Sequence, residues 1–293
     1  MSGILITGVS GYLGPYLCME FAGRKDVYGI YNNHPVDFES VNNIKCDLTD
    51  LENLTRIFDE VKPDVVYHLA SVTPTRITDQ SDTYIEFFNE DVTAEIAKLC
   101  TKHNSLMIYT STDLVYGEGT DIGEDSLNLD PLTIYAKTKL LGEKSVKEFA
   151  AKYLILRTAL MYGFTLSSYT SFFDITYRAL ANGEPINAFI DQFRNPIYTE
   201  DAASILAALP DKYKENDTIN LCGDETLSRY EMCVRFADIF SLKKSLIIPA
   251  NCEEYTQYTM VKKLALNSRK LKAYGFVTNP YNGNLHKSKK YKP

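Results

Sequence analysis

The chain contains no tryptophan, only four histidines, and six cysteines, none of them in a C-x-x-C spacing. With no His/Cys cluster at metal-ligand spacing, no metal site is expected, and 293 residues bury enough core to need no disulfide staples. Cys18, Cys46, Cys100, Cys222, Cys233 and Cys252 therefore read as buried free thiols in a reducing compartment. No apolar run approaches the ~20 residues that cross a bilayer. The chain runs straight into Ile4-Leu5-Ile6-Thr7 without a basic n-region or cleavage pattern, so neither a membrane partner nor a signal peptide is expected, and the cytoplasm is the expected location. Positive charge is also short: 31 Lys and Arg face 38 Asp and Glu, for a net charge of −7, which argues against nucleic acid as a partner. The one basic cluster, Lys287, Lys289, Lys290 and Lys292, reads as a solvated, frayed terminus.

What is present is ordinary for a folded protein: 45% hydrophobic and 24% charged residues. Short apolar runs near 4–7, 27–31, 44–46, 65–69, 106–110 and 154–157 read as strands. Helical patterns lie near 13–22, 51–61, 87–103 and 135–151. That alternation predicts parallel strands joined by helical crossovers, hence a Rossmann-type, doubly wound α/β sheet. After Gly163 the rhythm changes. The stretch 164–188 reads as mostly helical up to Asn182-Gly183, 186–199 as extended, and 201–209 and 229–240 as helical, with short strands near 218–221 and 246–248. The expected organisation is a dinucleotide-binding domain over 1–163 and a smaller, mainly substrate-binding lobe over 164–293, with segments near 196–222 returning to the first domain.

The first strand runs into Thr7-Gly8-Val9-Ser10-Gly11-Tyr12-Leu13-Gly14 and then a helix. Glycines there allow a tight turn and close backbone approach to a pyrophosphate, and the helix start offers free N–H groups to that anion. Pro15 suits the first helical turn. The spacing is G-x-x-G-x-x-G; the strand before it and the helix after it are what make it a dinucleotide signal. A carboxylate at the end of the second strand would bond the adenosine ribose and favour NAD. Here that strand ends Tyr31-Asn32-Asn33-His34, so NADP(H) is favoured and NAD(H) possible, with Asn33 and His34 placed at the 2′ position. Asp47 and Leu48, after the third strand, are placed to meet the adenine; a helix-capping role for Asp47 is equally open.

Tyr135-Ala136-Lys137-Thr138-Lys139 sets a phenol and an ammonium at i and i+4, on one side of a helix. A phenol ordinarily holds its proton to pH ~10, and a neighbouring cation favours the phenolate. Such a tyrosine can donate a proton to a carbonyl while hydride arrives from a nicotinamide. Position matters more than the pair itself: it follows Tyr109-Thr110-Ser111-Thr112-Asp113-Leu114-Val115-Tyr116-Gly117, which ends a strand at the expected ligand edge of the sheet.

Together these segments resemble the extended short-chain dehydrogenase/reductase family, with Thr112, Tyr135 and Lys139 at its catalytic Ser/Thr, Tyr and Lys positions. Thr112 is preferred to Ser111 because it stands three residues before Val115. The chain is most similar to the dTDP-4-dehydrorhamnose reductase branch. Ser111–Gly117 resembles its STDYVF segment, the run from Asp130 to Glu143 its PLNVYGKSKLAGE, and Leu156–Gly163 its LRTSWVYG. Asp191–Thr199 resembles its DQFGSPTYT, and Leu266–Leu271 followed by Gly275-Phe276 its C-terminal LDNSKL…GF. The resemblance implies NAD(P)H-dependent reduction at C4 of a 4-keto-6-deoxyhexose carried on a nucleotide, in polysaccharide biosynthesis. Tyr135 would protonate the alkoxide, Lys139 hold the nicotinamide ribose and Thr112 polarise the ketone, with Leu69, Ala70 and Ser71 beside the cofactor. A homodimer is the expected assembly.

The sequence departs from that branch at Arg194 in place of a small residue, at Met260-Val261-Lys262-Lys263 in place of an Arg-Pro pair, and at Ser71 in place of alanine. Two other roles stay open. The regulatory β subunit of methionine adenosyltransferase resembles the same branch, binds NADP and keeps a Tyr-x-x-x-Lys, and Thr226–Met232 is similar to its corresponding helix start. An epimerase or dehydratase of nucleotide sugars is the other; dehydratases of this kind usually carry Asp-Glu after the catalytic hydroxyl, and here Asp113 is followed by Leu114.

Overall fold

The computed structural model describes residues 3–73, 81–126, 129–255 and 259–293. Seven parallel strands form its central sheet: β1 Ile4–Thr7, β2 Val27–Tyr31, β3 Val41–Lys45, β4 Val65–His68, β5 Leu106–Thr112, β6 Tyr153–Thr158 and β7 Asp217–Leu221. Their order is β7-β6-β5-β4-β1-β2-β3. The chain winds outward from β1 to β3, then resumes on the other side of β1 at β4. The crevice between the carboxyl ends of β1 and β4 is therefore the switch point where sheets of this kind take their ligands.

The inner strands β1 and β4 are buried at every residue because helices cover both faces. Alternate residues point to opposite layers. Ile4, Ile6, Tyr67, Ile108 and Leu156 pack with Leu17 and Leu206, which lie on helices α1 Gly14–Glu20 and α6 Thr199–Ala208. Leu5, Val66, Met107 and Ile155 pack with Phe58, Ile96 and Val146 of α2 Leu51–Val61, α3 Val92–Lys102 and α4 Ile134–Phe149. The helix expected from residue 87 starts earlier: a turn over Asp82–Glu86 runs through a π-helical turn, Phe87–Asp91, into α3.

Beyond β6 the chain builds a second core around Tyr162, Phe164, Phe173, Phe236 and Phe240. The rings of Phe173 and Phe236 meet edge-on with centroids 4.5 Å apart. Two helices of this core, α5 Phe172–Ala181 and α7 Arg229–Ile239, start at capping boxes, Ser171 with Asp174 and Ser228 with Glu231. The expectation of helix through most of 164–188 needs correction. Ser171 fixes the start at Phe172, Gly183 ends it with φ of 78°, and Ile186–Phe189 pairs in parallel with Ile247–Ala250. Segment 164–171 lies outside the helix. The chain then returns through α6, which packs beside α1, to add β7 next to β6.

The basic tail is also corrected: it is docked, not frayed. Helix α8 Tyr281–Ser288 buries Tyr281 and Leu285 in the second core. Lys290 then pairs with Glu200 at 2.7 Å, and Lys292 lies over the ring of Tyr177. All six cysteines are free and buried. Among the described residues no helix is long and apolar enough to cross a membrane, and no cluster of His, Cys, Asp and Glu is suited to a metal.

Candidate active site

The ends of β1 and β4 nearly touch. Gly8 has φ of 68°, and a Cβ on it would lie 2.8 Å from the Cα of Ala70. Only glycine tolerates both that conformation and that approach. A Cβ on Gly14 would run into the carbonyl of Val9, so the third glycine lets α1 fold back against the turn.

His68 fastens the same junction from below. Its Nδ1 is 2.7 Å from Thr7 Oγ1 and its Nε2 is 3.0 Å from Thr93 Oγ1. Thr93 spends its proton on the carbonyl of Asn89, so Nε2 donates to Thr93 and Nδ1 accepts from Thr7. Burial drops the imidazole pKa to about 3, and the Lys139 charge pushes the same way, so the ring is neutral. The ring of Tyr109 stacks on His68, and Lys139 Nζ sits 4.1 Å from the centroid of that ring.

The end of β5 supplies the hydroxyls. Ser111 Oγ donates to Glu143 at 2.6 Å, and Glu143 in turn takes Arg157 Nε and Nη2 at 3.0 and 2.7 Å. Arg157 Nη1 donates to Tyr116 Oη at 2.8 Å, and Tyr116 donates to Asn220. This buried chain consumes Ser111's proton. Thr112 is bound only loosely: it accepts from Leu114 N–H and donates to Asp113, both at 3.2 Å, long for a hydroxyl bond. Burial raises the Asp113 carboxyl, while Arg194 and its bond to Thr112 pull the other way.

Helix α4 starts at Thr133, whose side chain caps it at Ala136 N–H, and this brings Tyr135 to the cleft in its first turn. Lys139, one turn deeper, is 1% exposed. Burial pulls its ammonium down to about 7, with Glu143 opposing that shift.

One cleft of about 1180 Å³ joins these parts. It is lined by every anticipated residue but one: Gly8, Ser10, Gly11, Tyr12, Leu13, Gly14, Asn33, His34, Asp47, Leu48, Leu69, Ala70, Ser71, Thr112 and Tyr135. Lys139 lies behind the wall. Asp47 is not the helix cap: Asp50 accepts from Asn53 N–H at the start of α2, while Asp47 holds Thr49 and faces the cleft. The volume exceeds that of a typical single-ligand pocket and leaves room for a dinucleotide and a second ligand together.

With this geometry in place, the model of the RmlD substrate binding domain family matches residues 1–290. The chain belongs to this family. Among its relatives, methionine adenosyltransferase 2 subunit beta of Xenopus tropicalis is 29% identical over 260 residues, covering 85% of this chain and 75% of that protein. A dTDP-4-dehydrorhamnose reductase of Aggregatibacter actinomycetemcomitans is 27% identical over 246 residues, 81% of this chain and 79% of that protein. Among solved structures, a dTDP-4-dehydrorhamnose reductase from Bacillus anthracis in complex with NADP superposes with a TM-score of 0.83 at 21% identity, covering 100% of both chains.

Within this RmlD-family fold, the two departures noted in the second half touch each other. Arg194 donates to the carbonyls of Phe193, Lys262 and Val261 at 2.7, 3.3 and 2.8 Å, clamping the 261–262 segment at the cleft edge. Among the cleft residues given no role by sequence reasoning are Tyr169, Gln192 and Arg229. Tyr169 stacks on Tyr12 with centroids 5.4 Å apart, closing the 163–171 segment over the glycine turn. Gln192 and Arg229 form part of the far wall. Nothing local marks them; their partners come from other elements.

Proposed function

We propose that this chain is an NAD(P)H-dependent reductase of a 4-keto-6-deoxy nucleotide sugar. The observation that carries the reading is convergence. Thr112 and Tyr135 line the same cleft as the glycine turn, while the neighbouring Ser111 is committed to Glu143. A dinucleotide suits the turn because Gly8 and Gly14 leave backbone uncovered where any side chain would collide. Its adenosine end would lie along Asn33, His34, Asp47 and Leu48, and its nicotinamide end near Leu69, Ala70 and Ser71. The missing carboxylate after β2 favours NADPH, and the Bacillus anthracis neighbour is in complex with NADP.

The bound cofactor supplies the hydride. Thr112 turns its weakly held proton from Asp113 toward the ketone oxygen and stabilises charge there. Tyr135 donates the proton that completes the alcohol. Lys139 contributes positive charge from beneath, next to where a ribose would rest, and Glu143 keeps that charge in place by raising the ammonium's affinity for its proton. The test is a panel of 4-keto nucleotide sugars assayed for NADPH and NADH oxidation. Turnover of a 4-keto-6-deoxy member supports the reading, and no oxidation with any member sinks it.

A second reading is a NADP-binding regulatory subunit. The observation favouring it is the similarity to methionine adenosyltransferase 2 subunit beta, at 29% identity over 85% of this chain. Tight capture of a methionine adenosyltransferase by a protein inert on the sugar panel would select this reading.

A further inference from the structure

The segment that leads from β6 to α5 is fixed at both ends by short bonds. Gly163 O accepts from Tyr12 Oη at 2.6 Å and Phe164 O from Tyr16 Oη at 2.7 Å, so side chains of the glycine turn and of α1 hold its start. The Asp174 carboxylate, 3% exposed, accepts from Thr165 Oγ1 at 2.9 Å and from Ser171 N–H and Oγ at 2.8 and 2.7 Å, which closes the base of the loop. Leu166 packs on the first core. Beyond it Ser168 and Thr170 are exposed, and Ser167 and Tyr169 are half-buried. There the hydrogen bonds lengthen: Ser167 Oγ donates to Gly11 O at 3.3 Å and accepts from Tyr169 N–H at 3.3 Å. Tyr169 lays its ring flat on Tyr12, 7° from parallel. Ser168 and Tyr169 line the cleft together with Ser10, Gly11 and Tyr12, so the tip of the loop walls the turn that would seat a pyrophosphate.

We propose that residues 167–170 act as a latch over the bound dinucleotide, held shut by the Tyr169–Tyr12 stack, and that opening this latch sets the rate at which the cofactor enters and leaves. The tip contacts fall on the glycine turn itself, Ser167 on Gly11 and Tyr169 on Tyr12, so the tip cannot lift without uncovering the turn. Lifting it needs no rearrangement of the base, because the Tyr12 hydroxyl and the Asp174 carboxylate hold residues 163, 165 and 171 independently of the Tyr169 ring. A loop with fixed ends, whose tip rests on a ring stack and long hydrogen bonds, opens by local motion rather than by unfolding of the lobe. The inference rests on dinucleotide binding at the turn and not on the reductase reading. Its test uses no sugar, and a protein inert on every 4-keto sugar leaves it intact.

The experiment is stopped-flow fluorescence of the full chain with NADPH and, in parallel, NADH: association by mixing, release by displacement with excess oxidised cofactor. For Tyr169→Ala both rates are expected to rise by roughly three- to tenfold, the loss of one aromatic pair, while Kd changes less than either rate. Tyr169→Phe keeps the stack and is expected to stay within about twofold of wild type. Faster release with unchanged association, and affinity weaker in proportion, would make Tyr169 an ordinary cofactor contact and overturn the latch. Unchanged rates in Tyr169→Ala overturn it as well and leave the reductase reading standing, since turnover of a 4-keto sugar is measured separately. A wild-type protein that binds neither NADPH nor NADH overturns both. Should Tyr169→Ala fail to fold, Ser167→Ala decides: it removes the bond to Gly11 at the half-buried tip, and release no faster than in wild type overturns the proposal.

Discussion

Ser111 and Thr112 are adjacent at the end of β5, yet only one has a hydroxyl free to change partners. Ser111 Oγ is held by Glu143 at 2.6 Å inside a buried ion-pair network, whereas Thr112 makes two bonds of 3.2 Å. Exchanging each in turn separates structure from chemistry. Thr112→Val is expected to lower turnover of a 4-keto substrate by roughly 10- to 100-fold, with little change in melting temperature. Ser111→Ala is expected to cost about 1–2 kcal/mol of stability, since Glu143 loses a buried donor, with turnover nearly kept. Steady-state kinetics alongside urea denaturation measure both, and the reverse pattern would move the reacting hydroxyl to Ser111.

Tyr135→Phe removes one oxygen from the first turn of α4 and leaves the glycine turn untouched. Turnover is expected to fall by about 100-fold or more while NADPH affinity changes little. Fluorescence titration of NADPH together with single-turnover rates checks this. An unchanged rate would take Tyr135 out of the proton transfer.

Behind these two residues, Glu143 and Arg157 are 1% and 3% exposed, and their pairing neutralises a charge that water does not reach. Glu143→Ala strands the guanidinium and is expected to cost about 3–5 kcal/mol. Glu143→Gln keeps acceptors but removes the charge, and is expected to cost less. It also withdraws the group that raises the Lys139 pKa, so Lys139 loses its proton at lower pH in that variant. Chemical denaturation of both variants, with the pH–rate profile of Glu143→Gln, reads out the two effects.

How much of this is legible before folding depends on how local each feature is. The glycine turn is contained in seven residues between a strand and a helix, so its geometry follows from the chain itself. The choice of Thr112 rests on the family resemblance, through its offset to Val115 in the Val-Tyr-Gly segment. The engagement of Ser111 is not legible: Glu143 lies 32 residues away and meets it only because α4 crosses β5. Arg229 and Gln192 come from different elements, and nothing in Leu227-Ser228-Arg229 distinguishes a cleft wall from an ordinary helix start. The docked tail is missed for a related reason. Its lysines mask Tyr281 and Leu285, two buried side chains too sparse to show a clear helical stripe.

His68 gives the fold a pH dependence that can be isolated. In the native state the ring stays neutral, with a pKa of about 3, because burial penalises the charged form and the Lys139 charge pushes the same way. In the unfolded chain the pKa returns to about 6.5. Between those values the unfolded state binds more protons, so stability is lost as pH falls through that window and regained as it rises. The slope from this residue alone is at most about 1.4 kcal/mol per pH unit. His68→Asn is expected to be less stable at pH 7, since it cannot span both Thr7 and Thr93, yet to lose less further stability between pH 6.5 and 4 than the wild type. Urea midpoints measured across that range for both proteins give the comparison, and parallel curves would mean that His68 is already protonated in the folded protein.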